Sequence, residues 1–333
     1  MRAVVVEKYG GPEVLHVAEL PARDAGPGEV VIDVCAAGVG FSDLLFRMGL
    51  RKLDELPAVL GYEVAGTVVA RAHDVPEPEL GARVAAFVPH GGYAERVVAK
   101  AGDVLPLPDR LSFEQGAAIP LAFATAYAGL VRFRGCRPGE RALIHGAAGG
   151  VGQAATLLAR QLDLETWGTA STGKQEALRA LGIEHPLDYT RTGWRQGLPE
   201  FDLIMDPLGG ASFRRSYGAL GAGGRLVCFG ASGVMAGERR SIVAALTTLA
   251  RTPRFNPMKQ ITESRTVIGL DTVALWRRYG NLSRLLQPLG SFLRADGVDP
   301  LVAAAVPFDD APRAHRMLSE RSNVGKVVLV PTA

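Results

Sequence analysis

A short apolar run, a glycine cluster and an amphipathic helix follow one another without a break between Arg141 and Leu162, and no other stretch of the sequence restricts the fold as tightly. RALIH (Arg141 to His145) reads as a buried strand. It is followed by GAAGGVG, after which Val151, Ala155, Leu158 and Leu162 recur at i, i+4, i+7 and i+11, one face of a helix. Dinucleotide binding needs this order of parts: a strand, a tight turn whose backbone can approach a pyrophosphate, and a helix whose N-terminal amides and dipole face the anion. In the GxGxxG frame Ala147 takes the place of the first glycine, while Gly149 and Gly152 supply close phosphate approach and helix packing.

The surrounding pattern extends this unit into an α/β domain. A second strand is expected at Leu164 to Ala170, then a helix from Gln175 to Leu181 that Gly182 ends as a left-handed cap. Further strands read at Leu203 to Asp206, Leu226 to Gly230 and Thr266 to Leu270, giving a doubly wound parallel sheet. Upstream the texture differs. Ala3 to Val6, Val30 to Val34, Glu63 to Ala70, Arg83 to Val88 and Tyr93 to Val98 are short strands broken by Gly/Pro turns, the mark of a compact β-barrel or sandwich. The chain ends with a helix (Asp310 to Ser319) and a strand (Lys326 to Val330) most economically returned to the first domain's sheet. The expected division is 1–121, 122–298 and a return segment 299–333.

With 47% hydrophobic and 21% charged residues and no long apolar run, the chain reads as globular, without a membrane span. A formal charge of +3 gives no nucleic-acid footprint. Cys35, Cys136 and Cys228 are too few and too scattered for a disulfide framework or a CxxC metal site. The start MRAVVVEKYG has no apolar leader, so a cytoplasmic setting is expected.

The choice of dinucleotide turns on the end of the second strand, where NAD proteins place an acidic residue against the ribose 2′-hydroxyl. Gly168-Thr169-Ala170-Ser171 stands there, and Glu165 lies at the wrong end of the strand. Ser171, Lys174 and Tyr189 instead supply a hydroxyl, an ammonium and a phenol suited to a 2′-phosphate, which points to NADPH. In the alternative reading Ser171 caps the next helix and Lys174 is solvated in its first turn.

Several segments together resemble the zinc-free quinone oxidoreductase (zeta-crystallin-like) group of medium-chain dehydrogenases/reductases: AAGVGFSD (36–43), LGYEVAGTVV (60–69), GGYAE (91–95), ATAYAGL (124–130), RPGERALIHGAAGGVGQAA (137–155), FDLIMDPLGG (201–210) and SNVGKVVL (322–329). NPMKQITESRTVIGLD (256–271) further resembles the vesicle amine transport protein-like branch. The resemblance implies a GroES-like β-barrel catalytic domain made from both chain ends, a Rossmann domain between, and an active site in the cleft. It also implies a homodimer paired through the Thr266 to Leu270 edge strand. By the same resemblance Gly149, Gly150 and Val151 hold the pyrophosphate, Ala148 and Phe229 also bind the cofactor, Thr125 and Tyr127 lie near the nicotinamide or the hinge, and Asn323 with Lys326 closes over the cofactor. Tyr127 has a packing alternative, and Lys326 could simply open the last strand.

Against the zinc enzymes of the superfamily, Gly40 stands at the Cys ligand position and Tyr62 at the His position, so no metal is expected; an open catalytic zinc needs about three protein ligands. Without a Lewis acid the hydride acceptor must be intrinsically electrophilic, a quinone or an α,β-unsaturated carbonyl. Ser42, aligned with the zinc enzymes' relay hydroxyl, and Tyr62 are the candidate proton or hydrogen-bond donors to the developing oxyanion. Their alternatives are a helix cap for Ser42 and space filling for Tyr62. Phe41, Leu45 and Tyr62 would line an apolar acceptor pocket. The basic segment Arg251 to Lys259 is read as a lid loop or a site for an acidic substrate tail. An enoyl-thioester reductase and a cofactor-binding structural protein without turnover are the competing functions.

Overall fold

The structure is a computed structural model and describes residues 1–133, 135–234, 241–295 and 297–332. Contacts divide these into two units, 1–124 with 272–332 and 125–234 with 241–271.

The first unit is built on a sheet of seven strands in which Val302–Pro307, Lys326–Val330, Glu29–Val39, Glu63–Arg71, Arg83–Phe87 and Val104–Pro106 follow in order and Arg96–Lys100 pairs with Glu29–Val39. A smaller sheet joins Leu15–Glu19, Arg2–Val6 and Ala58–Val59. The final strand does return: Val327 faces Val39 and Leu329 faces Ala37, antiparallel. The strand expected from Tyr93 starts at Arg96 instead. Tyr93 is fully buried, and its amide and carbonyl are taken by Leu60 O and Val4 N, so it pins two other segments before the ladder begins.

Residues 272–295 and 297–298, expected with the α/β domain, pack in the first unit. Asp103 is the reason. Its carboxylate accepts the Trp276 indole N–H at 2.7 Å and the Leu282 amide at 2.5 Å, and Lys100 donates to Gly280 O at 2.8 Å. These bonds seat helix Ser283–Arg294, whose Leu285, Leu286, Leu289 and Leu293 are all buried.

The second unit holds a six-stranded sheet. Numbered within the unit, its strands are Arg141–His145, Glu165–Ala170, His185–Asp188, Phe201–Asp206, Leu220–Cys228 and Thr266–Gly269, and they lie in the order 3-2-1-4-5-6, every pair parallel. The order reverses between strands 1 and 4. A doubly wound sheet binds its ligand at that reversal, outside the carboxyl ends of the strands. Helix Gln175–Leu181 ends at Gly182 with φ +88°, the left-handed cap its sequence requires.

Candidate functional site

At the sheet reversal, strand Arg141–His145 runs into the glycine turn and then into helix Gly150–Gln161, with Gly149 as N-cap. The left-handed residue of the turn is Gly146, φ +65°, one position upstream of the GxGxxG frame. That corrects the reading of Ala147 as a substituted turn glycine. Ala147 is fully buried, and the strand beside it carries Gly168, where a Cβ would come within 3.0 Å of the Ala147 Cβ. A Cβ on Gly152 would overlap Gly146 O and sit 2.6 Å from Ala147 Cα, so helix and turn touch backbone to backbone. Ala148, Gly149, Gly150 and Val151 thus surround the N-terminus of a twelve-residue helix whose first amides have no partner within the helix. This cradle suits a dinucleotide pyrophosphate.

Ser171, Lys174 and Tyr189 come together at the end of the second strand. Lys174 N bonds Ser171 O, and Tyr189 N bonds Ala170 O at 3.2 Å. Ser171 occupies the cap position of the turn Thr172–Lys174, but its side chain makes no capping bond. Tyr189 is exposed. Sequence reasoning missed Asp188, which lies opposite Ala170 at the end of the third strand. Its carboxylate accepts hydrogen bonds from the Thr190 and Thr172 hydroxyls at 2.6 and 2.7 Å, and these hold its pKa below the usual value. Phe229, half-buried, follows the fifth strand, its amide on Asp206 O. Thr125 is buried on helix Pro120–Tyr127, which continues into a π-turn, Ala128–Arg132.

In the first unit Gly40, not Ser42, is the N-cap of helix Phe41–Arg47. Asp43, at the third helical position, reaches back to Gly40 N at 2.8 Å and also accepts Gly61 N at 3.0 Å. The Tyr93 hydroxyl lies 3.4 Å from His315 Nε2. Burial pushes Asp43 up to about 6, against the opposing pull of the Gly40 and Gly61 amides and of Lys326. It pushes the Tyr93 phenol well above its usual value too.

Asp43 therefore ties the segment carrying Phe41, Ser42 and Leu45 to the one carrying Tyr62. Phe41, Ser42 and Leu45 are half-buried. Tyr62 is buried, its ring 6.0 Å from Phe46 and 6.2 Å from Phe87. Where a cysteine side chain would project from position 40, a Cβ would lie 3.9 Å from Lys326 Nζ. Lys326 is itself buried and bonded to Glu63, whose other oxygen accepts Leu121 N at 2.9 Å. Asn323 sits just before the last strand and donates to Gly325 O at 2.7 Å. Among the described residues no group of three or more His, Cys, Asp or Glu side chains is placed to hold a metal, and no helix is long and apolar enough to cross a membrane.

Residues 26–109 match the alcohol dehydrogenase GroES-like domain, and residues 181–329 the zinc-binding dehydrogenase family. The synaptic vesicle membrane protein VAT-1 homolog of Rattus norvegicus is 33% identical over 340 residues, covering 99% of this chain and 84% of its own length. Among solved structures, the Escherichia coli quinone oxidoreductase complexed with NADPH superposes with a TM-score of 0.83 at 28% identity, over 99% of this chain and all of that one. The CurK enoyl reductase gives 0.84 at 26%, over 99% of each. The chain belongs to the medium-chain dehydrogenase/reductase family, a GroES-like domain joined to a Rossmann-type parallel sheet, in its zinc-free VAT-1-like branch.

Proposed function

We propose that this chain is an NADPH-dependent, zinc-independent reductase that delivers hydride to a quinone or an α,β-unsaturated carbonyl. The observation that carries the reading is the backbone-lined cradle of Gly146 to Gly152 at the sheet reversal, with Ser171, Lys174 and Tyr189 after the end of the neighbouring strand and the carboxylate of Asp188, opposite Ala170, taken up by the Thr172 and Thr190 hydroxyls. The NADPH held by the similar Escherichia coli protein supports it.

In this reading the amides around Ala148, Gly149, Gly150 and Val151 neutralise the pyrophosphate. Ser171, Lys174 and Tyr189 take the 2′-phosphate, while Thr125, Phe229, Asn323 and Lys326 line the rest of the dinucleotide. When bound, NADPH supplies the hydride. The protein's part is to hold the acceptor against it and to stabilise the oxygen on which charge develops. Position 40 has no side chain and the Tyr62 ring is packed between Phe46 and Phe87, so the residues at the zinc-ligand positions form no metal donor set. Ser42 and Tyr62 are the candidate donors to the acceptor oxygen. Phe41 and Leu45 give it apolar walls.

An enoyl-thioester reductase is the second reading. It is favoured by the likeness to CurK enoyl reductase and by the exposed Arg251, Arg254 and Lys259, which could meet an acidic acyl carrier. NADPH oxidation by the purified protein with a panel of quinones, enones and enoyl thioesters decides between them. Turnover on quinones or simple enones is expected; turnover on thioesters alone would favour the second reading, and NADPH binding without turnover on any would leave a cofactor-binding protein.

The same proposal includes a homodimer, because strand Thr266–Gly269 forms an edge of the parallel sheet. A monomer in sedimentation velocity at micromolar concentration would remove that part. A cytoplasmic setting accords with the three free cysteines.

A further inference from the structure

A single chain of hydrogen bonds crosses the sheet reversal. Gly146 N–H donates to Thr169 Oγ1 at 3.2 Å, and Thr169 Oγ1 lies 3.1 Å from His145 Nδ1. His145 Nε2 lies 3.2 Å from Ser216 Oγ, which donates to Asp206 Oδ2 at 2.7 Å. The Asp206 end fixes the direction at Nε2. Gly146 can only donate and the Asp206 carboxylate can only accept, so Ser216 spends its hydrogen on Asp206 and must receive one from His145 Nε2. The Nδ1 lone pair is then left to accept the Thr169 hydroxyl. Of the two neutral tautomers only the Nε2–H form completes the chain.

The surroundings hold the ring in that state. His145, Thr169, Asp206, Ser212 and Ser216 are all buried. Burial lowers the His145 pKa, and Arg195 and Arg215 lower it further against the pull of Asp206. The Trp194 ring meets the imidazole edge to face. Asp206 also accepts Leu208 N and Ser212 Oγ, each at 2.8 Å, so its carboxylate shapes the start of the Pro207 to Gly210 loop.

We infer that His145 is a positioning residue for the dinucleotide: its neutral imidazole locks the Gly146 turn to the loop after Asp206, fixing the two backbone segments on either side of the cofactor-binding crevice. The inference rests on the reading of that turn as the pyrophosphate site.

NADPH titration of the purified protein by fluorescence tests both levels. If the unaltered protein does not bind NADPH, the site reading itself fails. Given binding, His145→Gln keeps a donor for Ser216 but has no acceptor for Thr169, whereas His145→Asn keeps an acceptor at the Nδ1 position but has no donor for Ser216, so each breaks one end of the bridge. Either variant should weaken NADPH about tenfold, as should Thr169→Val, and His145→Gln with Thr169→Val together should weaken it little further than either alone. Unchanged affinity in either amide variant, or fully additive effects in the double variant, would overturn the inference, since a space-filling histidine is not coupled to the Thr169 hydroxyl. Thr169→Val preserves volume, so it keeps the test open if the His145 variants do not fold.

Discussion

The Asp43 carboxylate accepts the Gly61 amide at 3.0 Å, joining residues 18 apart in sequence, and so ties the helix that carries Ser42 to the segment that carries Tyr62. Because burial raises this carboxyl from 3.8 to about 6, the folded protein holds its proton more tightly than the unfolded chain does. The stability this contributes is full below pH 3.8 and is lost as pH rises through about 6, about 3 kcal/mol in all. Asp43→Asn cannot titrate. Urea unfolding of both proteins should show the wild type losing about 2 kcal/mol relative to the variant between about pH 4.5 and 7.5; a difference that does not vary with pH would place the raised pKa elsewhere.

Lys174→Glu puts a negative charge where a 2′-phosphate is expected to lie. KM for NADPH should rise about tenfold or more, while KM for NADH changes little. Steady-state kinetics with both cofactors checks this. Equal effects would remove Lys174 from the phosphate site and leave it as a turn residue.

Gly152→Ala forces a Cβ against Gly146 O and Ala147 Cα. The turn must move, because both neighbours are backbone. Thermal unfolding should show a loss of about 2 kcal/mol, and NADPH affinity should fall with it. A variant of normal stability and affinity would mean that the turn and helix are not in backbone contact.

What could be read from the sequence was what is local. The helix Gln175–Leu181 and its Gly182 cap, the strand Arg141–His145 and the returning strand Lys326–Val330 follow from spacing and turn chemistry within a few residues. The pairings that organise the candidate site were not legible in this way. Asp43 with Gly61, His145 with Ser216, and Lys326 with Glu63 join residues 18, 71 and 263 apart, and no periodicity signals such meetings. The glycine turn shows the limit at short range. The motif frame put its first glycine at position 147, yet the left-handed residue is Gly146, and Ala147 packs where Gly168 of another strand has no side chain.

Tyr62→Phe separates chemistry from packing at this position. The ring stays between Phe46 and Phe87, so folding should change by less than about 1.5 kcal/mol, whereas Tyr62→Ala should cost about 3–5 kcal/mol. If the phenol donates to the acceptor oxygen, kcat should fall more for an enone, which needs a positioned proton donor, than for a quinone, whose product can be protonated by water. Identical losses for the two acceptors would make Tyr62 a packing residue.

Lys326 and Glu63 form a buried ion pair in the first unit, and removing one charge strands the other. Lys326→Met or Glu63→Gln alone should therefore destabilise by about 3–5 kcal/mol, and the double variant should recover most of that loss, since a neutral pair needs no counter-charge. Glutamine still offers an oxygen to Leu121 N, so the double variant keeps that bond. NADPH affinity then tests the role implied by the family resemblance. If the ammonium also reaches the cofactor, Lys326→Met should weaken NADPH in both the single and the double variant, while Glu63→Gln alone should leave the affinity equal or tighter by freeing the charge. Restored affinity in the double variant would confine Lys326 to its partnership with Glu63.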